Sequence, residues 1–447
     1  MPHEPYPLER LFGRIRSPFE QFLRRTTAGG IVLVAATAIA LALASALGQE
    51  RIEAFWGERA GGFTRHQWVN DALMALFFLV VGLELKREML VGELSSMRDA
   101  ALPVIAALGG MLVPAAVYAL FNAGGTGAAG WGIPMATDIA FAVGILVLLA
   151  WRVPKNLIVF LTALAIADDL GAVLVIAVFY TSGLDLHALG IAAAVYALLW
   201  VFNRAGIRHA IPYGVAGAAL WYAVHESGIH ATIAGILLAS AIPARPAHAP
   251  SRFERRLEEL LDALRRDRRD ASTPDDALSN QAVAAIAEAV ESSARAVQSP
   301  LQRIEHRLNP WVTFVILPVF ALSNAGIDLT TVRWSEALAA RVTLGVLAGL
   351  ALGKFAGIAL FGWLGVRTGL ARLPAGVEWP HLLGAAWLGG IGFTMSLFIA
   401  QLAFGPGAAL EQARLGILMA SLVSALGGLA WLYVTGSRRP PPVAGVG

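Results

Sequence analysis

Apolar residues run along this chain in long blocks separated by short polar links. A helix crosses the hydrocarbon core of a bilayer in roughly 20 residues. Blocks of that length, or somewhat shorter, lie at 27–47, 67–85, 101–121, 132–151, 156–180, 187–202, 211–224 and 230–242. After a long polar stretch, others follow at 311–325, 342–366, 381–401 and 411–434. The pattern predicts an all-α polytopic membrane protein of about twelve transmembrane helices. Ser17-Pro18-Phe19-Glu20 has the form of a capping box with Pro at the first helical position, so a helix is expected to start ahead of the first block.

The polar stretch 243–309 has a pattern of its own. Phe253, Leu257, Leu260, Leu261 and Leu264 recur at helical spacing among Arg and Glu. Thr273-Pro274-Asp275 marks a second helix start, and Ser299-Pro300-Leu301-Gln302 a third with a capping box. The expected division is a cytoplasmic segment 1–26, a membrane domain 27–242 with the first eight helices, a cytoplasmic amphipathic insertion 243–309, the last four helices at 310–434 and a cytoplasmic tail 435–447. The insertion is too short for a substantial core. A solvated face is the plain reading of it, and partner or lipid-surface contact the other.

Composition agrees: 57% of the 447 residues are hydrophobic and 15% charged, where a soluble protein carries about a quarter. There is no Cys, which excludes disulfides, thiolate metal sites and a Cys nucleophile. A net charge of +3 is too small and too dispersed for nucleic acid. Glu4, Glu9 and Glu20 among the early arginines do not fit a signal peptide, so the first span is expected to stay in the mature protein. Lys and Arg concentrate in one set of connections: Lys86, Arg87 and Arg98, then Arg152 and Lys155, Arg204 and Arg208, and Arg367 and Arg372. Arg24, Arg25, Arg438 and Arg439 add both termini to that side, and Arg51, Arg59, Arg65 and Arg333 are the main exceptions. Both termini are therefore predicted to be cytoplasmic.

Four ionisable residues fall at mid-span: Asp138, the adjacent Asp168 and Asp169, and Lys354. Each costs about 2.5–3.5 kcal/mol at that depth unless it faces protein or water. Three carboxylates against one ammonium leave a deficit for a cation or protons to fill. Adjacent helix positions point about 100° apart, so one of Asp168 and Asp169 can face an ion path while the other meets a neighbouring helix, with Lys354 its natural partner. That pair can equally be a plain stabilising ion pair. Lys86, Lys155 and Lys354 are the only lysines in an Arg-rich chain, and Lys, unlike Arg, can release its proton when desolvated.

Two blocks are interrupted. Gly130, Gly132 and Pro134 precede Thr137-Asp138 in one, and Gly389-Gly390-Ile391-Gly392-Phe393-Thr394 runs through the other. Each is the middle of a three-block group, 101–180 and 342–434, and broken helices in corresponding halves point to a transporter site. Glu84, Lys86, Arg87 and Glu88 end the second block, with Glu305 and His306 ahead of the ninth on the same side. These are interfacial anchors or a responsive cluster. His230, on the opposite side, is an interfacial or pH-responsive histidine.

Between Phe12 and Val434 the chain resembles the NhaA-type bacterial sodium/proton antiporters. The matching segments are NDALMALFFLVVGLELKREML, GIPMATDIAFAVG, ALAIADDLGAV, SGIHATIAGI, LNPWVTFVILPVFALSNAG, LGKFAGI and GGIGFTMSLFIA. The resemblance implies inverted-topology repeats, two interrupted helices that cross, and electrogenic exchange of cytoplasmic Na⁺ or Li⁺ for external H⁺, activated at alkaline pH in an inner membrane. It implies Asp169 as the main ion and proton carboxylate, with Asp168 beside it as the second contact to transported Na⁺ and paired with Lys354. It sets Asp138, next to Thr137, at the helix crossing, where it would balance the dipole ends of the interrupted helices. Glu84, Arg87, Glu88 and Glu305 match a cytoplasmic pH-response cluster, Asp71 an acidic position near the start of the second span, and 48–66 a dimer contact, so a homodimer is expected. No cofactor and no catalytic residue are expected, Na⁺ and H⁺ being cargo. Two departures stand out: Asn309 replaces the family's usual His, and the insertion 247–297 is long.

Other carboxylate-in-membrane functions fit less well. An aspartyl protease needs its two Asp on separate helices and a Gly-x-Gly-Asp pattern, and gives Lys354 no role. A cation channel favours symmetric rings of carboxylates. A symporter for an organic anion would want an Arg or aromatic anchor at mid-span.

Overall fold

A computed structural model describes residues 18–181, 183–246, 250–267 and 281–436. Ser17, Thr273-Pro274-Asp275, Ala247 and the tail arginines Arg438 and Arg439 lie outside the described residues. Helices occupy each predicted block, but not all have the dimensions of a span. Among the described residues, eight are long and apolar enough to cross a membrane, and nine if the bent pair Trp379–Gly389 and Phe393–Ala403 is one span. Ala210–Glu226 has 17 residues, and Ile233–Ala241 has nine, about 14 Å of helix. The block expected at 311–325 is continuous with Pro300–Trp311, so the helix begins inside the stretch assigned to the insertion. Its start is the expected capping box: Ser299 accepts from the Gln302 amide, and Gln302 returns the bond. One feature departs from an all-α chain. Arg59–Ala60 pairs with Phe63–Thr64 in a minimal hairpin, turned by Gly61 and Gly62 at φ 63° and 92°, which side chains rarely adopt.

The chain divides into two compact units. One comprises the described residues of Met1–Asn70, Glu88–Tyr180 and Thr313–Gly447. Within it, Met97–Asn122 packs backbone to backbone on Arg341–Arg367: a Cβ on Gly357 would sit 2.2 Å from the Gly109 carbonyl oxygen, and one on Gly353 2.8 Å from Pro114 Cα. Such contact between small residues is how helices associate where lipid supplies no hydrophobic drive. Arg341–Arg367 also contains a π-helical turn, Gly349–Gly353, directly before Lys354. A widened turn of this kind re-aims the following side chain and is frequent at functional sites.

The second unit is Asp71–Arg87 with Thr181–Val312. Leu83, Leu199, Tyr213, Leu220 and Leu238 form the centre of its core. The Lys86 ammonium donates to the carbonyls of Ser240 and Ile242, both at 2.6 Å, and so closes the C-terminal end of the short helix Ile233–Ala241. In the insertion, Pro250–Asp267 and Gln281–Val297 pack against each other, with arginines and glutamates of the former exposed.

Candidate functional site

The two interrupted spans meet inside the first unit. Ala128–Met135 is a 3₁₀ helix, Ala136 and Thr137 are non-helical, and Asp138 caps the helix Ile139–Leu148 by accepting from Phe141 N at 3.0 Å. In the other span, Gly390–Gly392 separates Trp379–Gly389 from Phe393–Ala403, with a 42° bend. The glycines allow contact that a side chain would block: a Cβ on Gly390 would lie 2.5 Å from Leu350 O.

Each break satisfies the backbone of the other. Asp138 N donates to Ile391 O at 2.7 Å, and Ser396 Oγ to Ile133 O at 2.8 Å. Asp138 Oδ2 accepts from both the amide, at 3.1 Å, and the hydroxyl of Thr394. The Asp138 carboxylate thus caps two helix N-termini, each with a partial positive charge of roughly half a unit. Sequence reasoning found no buried cation to neutralise Asp138, and the resemblance set it against the dipole ends of the crossing helices; two helix N-termini do meet its carboxylate. The opposite ends receive donors. Lys354 Nζ donates to Met135 O, and the Thr137 hydroxyl, with one proton to give, lies 2.8 Å from both Gly389 O and Asp168 Oδ2.

Asp168 and Lys354 come together as an ion pair of 2.7 Å, both side chains fully buried. Asp168 Oδ1 has no hydrogen-bond partner among the described residues, and the backbone of Gly110 packs beside it, its Cβ position being 3.7 Å away. Asp169 is also buried, and its charge acts on Lys354. Asp138, Thr137, Asp168, Asp169 and Lys354 therefore share one neighbourhood.

The residues assigned to pH response divide. In the second unit Arg87 holds Glu305 at 2.5 Å and lies 3.8 Å from Glu84, and Glu305 is buried. Glu88 accepts from the Glu93 amide at 3.1 Å. His230 belongs elsewhere in the second unit. Its Nδ1 is 2.8 Å from Thr232 Oγ1 and its Nε2 3.8 Å from Asp71, which His225 approaches at 3.9 Å on its other oxygen. Asp71 and Arg87 are 16 positions apart in one helical run, about 24 Å. Sequence reasoning missed Thr394, His225 and the Met135 and Gly389 carbonyls. Thr394 had a visible signal, since it follows the second glycine run as Thr137 follows the first. It also overlooked Arg414, a further buried cation in the last span.

These features define a polytopic α-helical membrane protein built on two broken spans with buried charges at their meeting point. The family model described as Na⁺/H⁺ antiporter 1 matches residues 20–432, and the chain belongs to that family. It is 61% identical over 446 residues to the Na⁺/H⁺ antiporter NhaA of Syntrophobacter fumaroxidans, covering 98% of this chain and 94% of that protein. Identity to the NhaA of Acidithiobacillus ferrooxidans is 57% (95% of this chain, 98% of the relative), and to NhaA 1 of Saccharophagus degradans 47% (98% and 97%).

Proposed function

We propose that this chain is a secondary transporter that exports Na⁺, and Li⁺, in exchange for H⁺. The observation that carries the reading is the charge count at the crossing: three buried carboxylates, one buried ammonium and two helix N-termini. Helix ends balance Asp138 and Lys354 lies on Asp168, and Asp169, buried beside them in the segment ALAIADDLGAV that resembles the antiporter family, is the carboxylate that a cation and a proton occupy in turn. Asp168 offers Oδ1 as a second oxygen to Na⁺, while Thr137 and Lys354 fix its other oxygen. Cation entry repels the Lys354 ammonium and favours proton release from the set, which titrates as one coupled system.

The further elements of the proposal are twelve spans in inverted-topology repeats, two per three-span group being whole and one broken. The protein would be a homodimer through 48–66 in a bacterial inner membrane, with both termini and the insertion cytoplasmic. Exchange would be electrogenic and activated at alkaline pH through Glu84, Arg87, Glu88 and Glu305, with His230 and Asp71 a second responsive group. The test is collapse of an imposed pH gradient in everted vesicles on adding Na⁺ or Li⁺, with rates responding to an imposed potential. Asp169→Asn keeps the volume, loses the titratable charge and should abolish exchange while the protein still inserts. Substantial exchange by that variant would overturn the assignment.

A further inference from the structure

A second polar cluster lies in the same unit as the crossing and takes no part in it. Asn324, fully buried, is its centre. Its Oδ1 accepts from Asn70 Nδ2 at 3.4 Å and Gln401 Nε2 at 2.9 Å, and its Nδ2 donates to Asn70 Oδ1 at 2.9 Å. Asn70 also reaches His66 Nε2 at 2.8 Å, and His66 Nδ1 lies 3.0 Å from Ser323 Oγ. The bonds clasp three segments: the start of Arg65–Val91, Leu317–Asn324 and Phe393–Ala403. Arg414 is buried within electrostatic reach of His66, Glu53 and Glu411. Next to Glu411, a cavity of about 330 Å³ is lined by Gln49, Asp328, Arg333 and Glu336.

This cluster is not a cation site. The Asn324 oxygen is already occupied by two N–H donors, and the Arg414 charge opposes a cation nearby. Its position says more. Thr394, Phe398 and Gln401 are four and three residues apart, hence on one face of their helix. Phe320 stands one turn before Asn324 on the facing helix, and the Phe320 and Phe398 rings are 6.3 Å apart and fully buried. From Gln401 inward, the order is therefore an amide clasp, an aromatic pair, and Thr394 with Asp138 about 10 Å away.

We propose that the Asn70–Asn324–Gln401 clasp, backed by Phe320 and Phe398, is the barrier that closes the crossing from the end where 48–64 and 404–407 lie. Passage at that end requires the Asn324 bonds to part. What passes rests on the exchange reading, but the barrier does not.

The chain contains no cysteine, so Ser396→Cys places a single thiol at a fully buried position behind the clasp. A membrane-impermeant maleimide should label it slowly in sealed vesicles. Adding Asn324→Ala removes its three side-chain bonds to Asn70 and Gln401 and should raise the labelling rate at least about tenfold. Gln401→Leu removes one bond, should raise it several-fold, and decides the matter if Asn324→Ala fails to insert. The rise should occur only when the 48–64 end faces the reagent. Unchanged labelling in an inserted variant, or an equal rise from both ends, overturns the proposal. A barrier that responds, with no Na⁺/H⁺ exchange by the parental protein that keeps Ser396, would instead overturn the exchange reading alone.

Discussion

Lys354 is the side chain whose replacement best separates two physical roles. It meets Asp168 at 2.7 Å and also donates to Met135 O, in a site from which solvent is excluded. A counter-ion of fixed charge would tolerate Lys354→Arg. A group that gives up its proton during the cycle would not, because guanidinium keeps its proton. Lys354→Arg should insert and yet lose most exchange, measured as gradient collapse across a pH series; a parental rate and profile would leave Lys354 structural. Lys354→Ala is a different experiment, since it strands the Asp168 charge. Breaking a buried pair in that way costs about 3–5 kcal/mol and should appear as a lower unfolding temperature. Glu305 is the corresponding residue of the Arg87 cluster. Glu305→Gln keeps its shape but ends the 2.5 Å ion pair, and the pH of half-maximal exchange should shift without loss of the maximal rate. The side chains themselves were largely legible beforehand: charge type and mid-span depth paired Lys354 with one of Asp168 and Asp169, and the family resemblance named Asp168. The Met135, Gly389 and Ile391 carbonyls were not, because every residue carries the same backbone acceptor and only the fold selects one. Arg414 escaped notice for a related reason, lying near a span end where a charge reads as interfacial.

At the scale of elements, the site depends on how closely helices approach one another. Lys354 follows a π-helical turn, and Gly357, one turn beyond it, lies against Gly109 of Met97–Asn122 with no room for a methyl group. Gly357→Ala puts Cβ onto a backbone oxygen rather than a movable side chain. The helix must shift, and Lys354 with it. The expected result is lower thermal stability together with reduced exchange, whereas Gly190→Ala, at an open position, should change neither. The glycine runs announced both breaks, since residues 130–138 and 389–394 are the least helical parts of otherwise apolar blocks. Their mutual capping was not announced, because it joins residues more than 250 positions apart. The blocks at 211–224 and 230–242 illustrate a different limit. Hydropathy marked both as spans, but the first is a helix of 17 residues and the second holds one of nine, ended by Lys86 from a remote span.

For the whole molecule, the insertion is the clearest case of a part outside the charge logic. Pro250–Asp267 and Gln281–Val297 pack on each other, and all five residues of the crossing lie outside them. Replacing 247–297 with a short Gly/Ser linker should leave the turnover in vesicles within about twofold of the parent, with any change confined to the pH response. Complete loss in a protein that still inserts would make the segment part of the exchange machinery. The capping box at Ser299 then becomes the boundary to respect, because Pro300–Trp311 continues into the next helical run.

The reciprocal capping of the two breaks also has a bearing on how the protein is made. Asp138 and Thr394 are 256 residues apart, and ribosomes add about 5–20 residues per second. For some 13 to 50 seconds, the first broken span exists without the partner that supplies Thr394 and Ser396. Throughout that interval the Asp138 carboxylate and the Ile133 carbonyl must be held by water or by the insertion machinery. A nascent chain stalled before residue 379 is thus a natural substrate for membrane quality control, while a chain released after residue 403 already carries both halves of its lock.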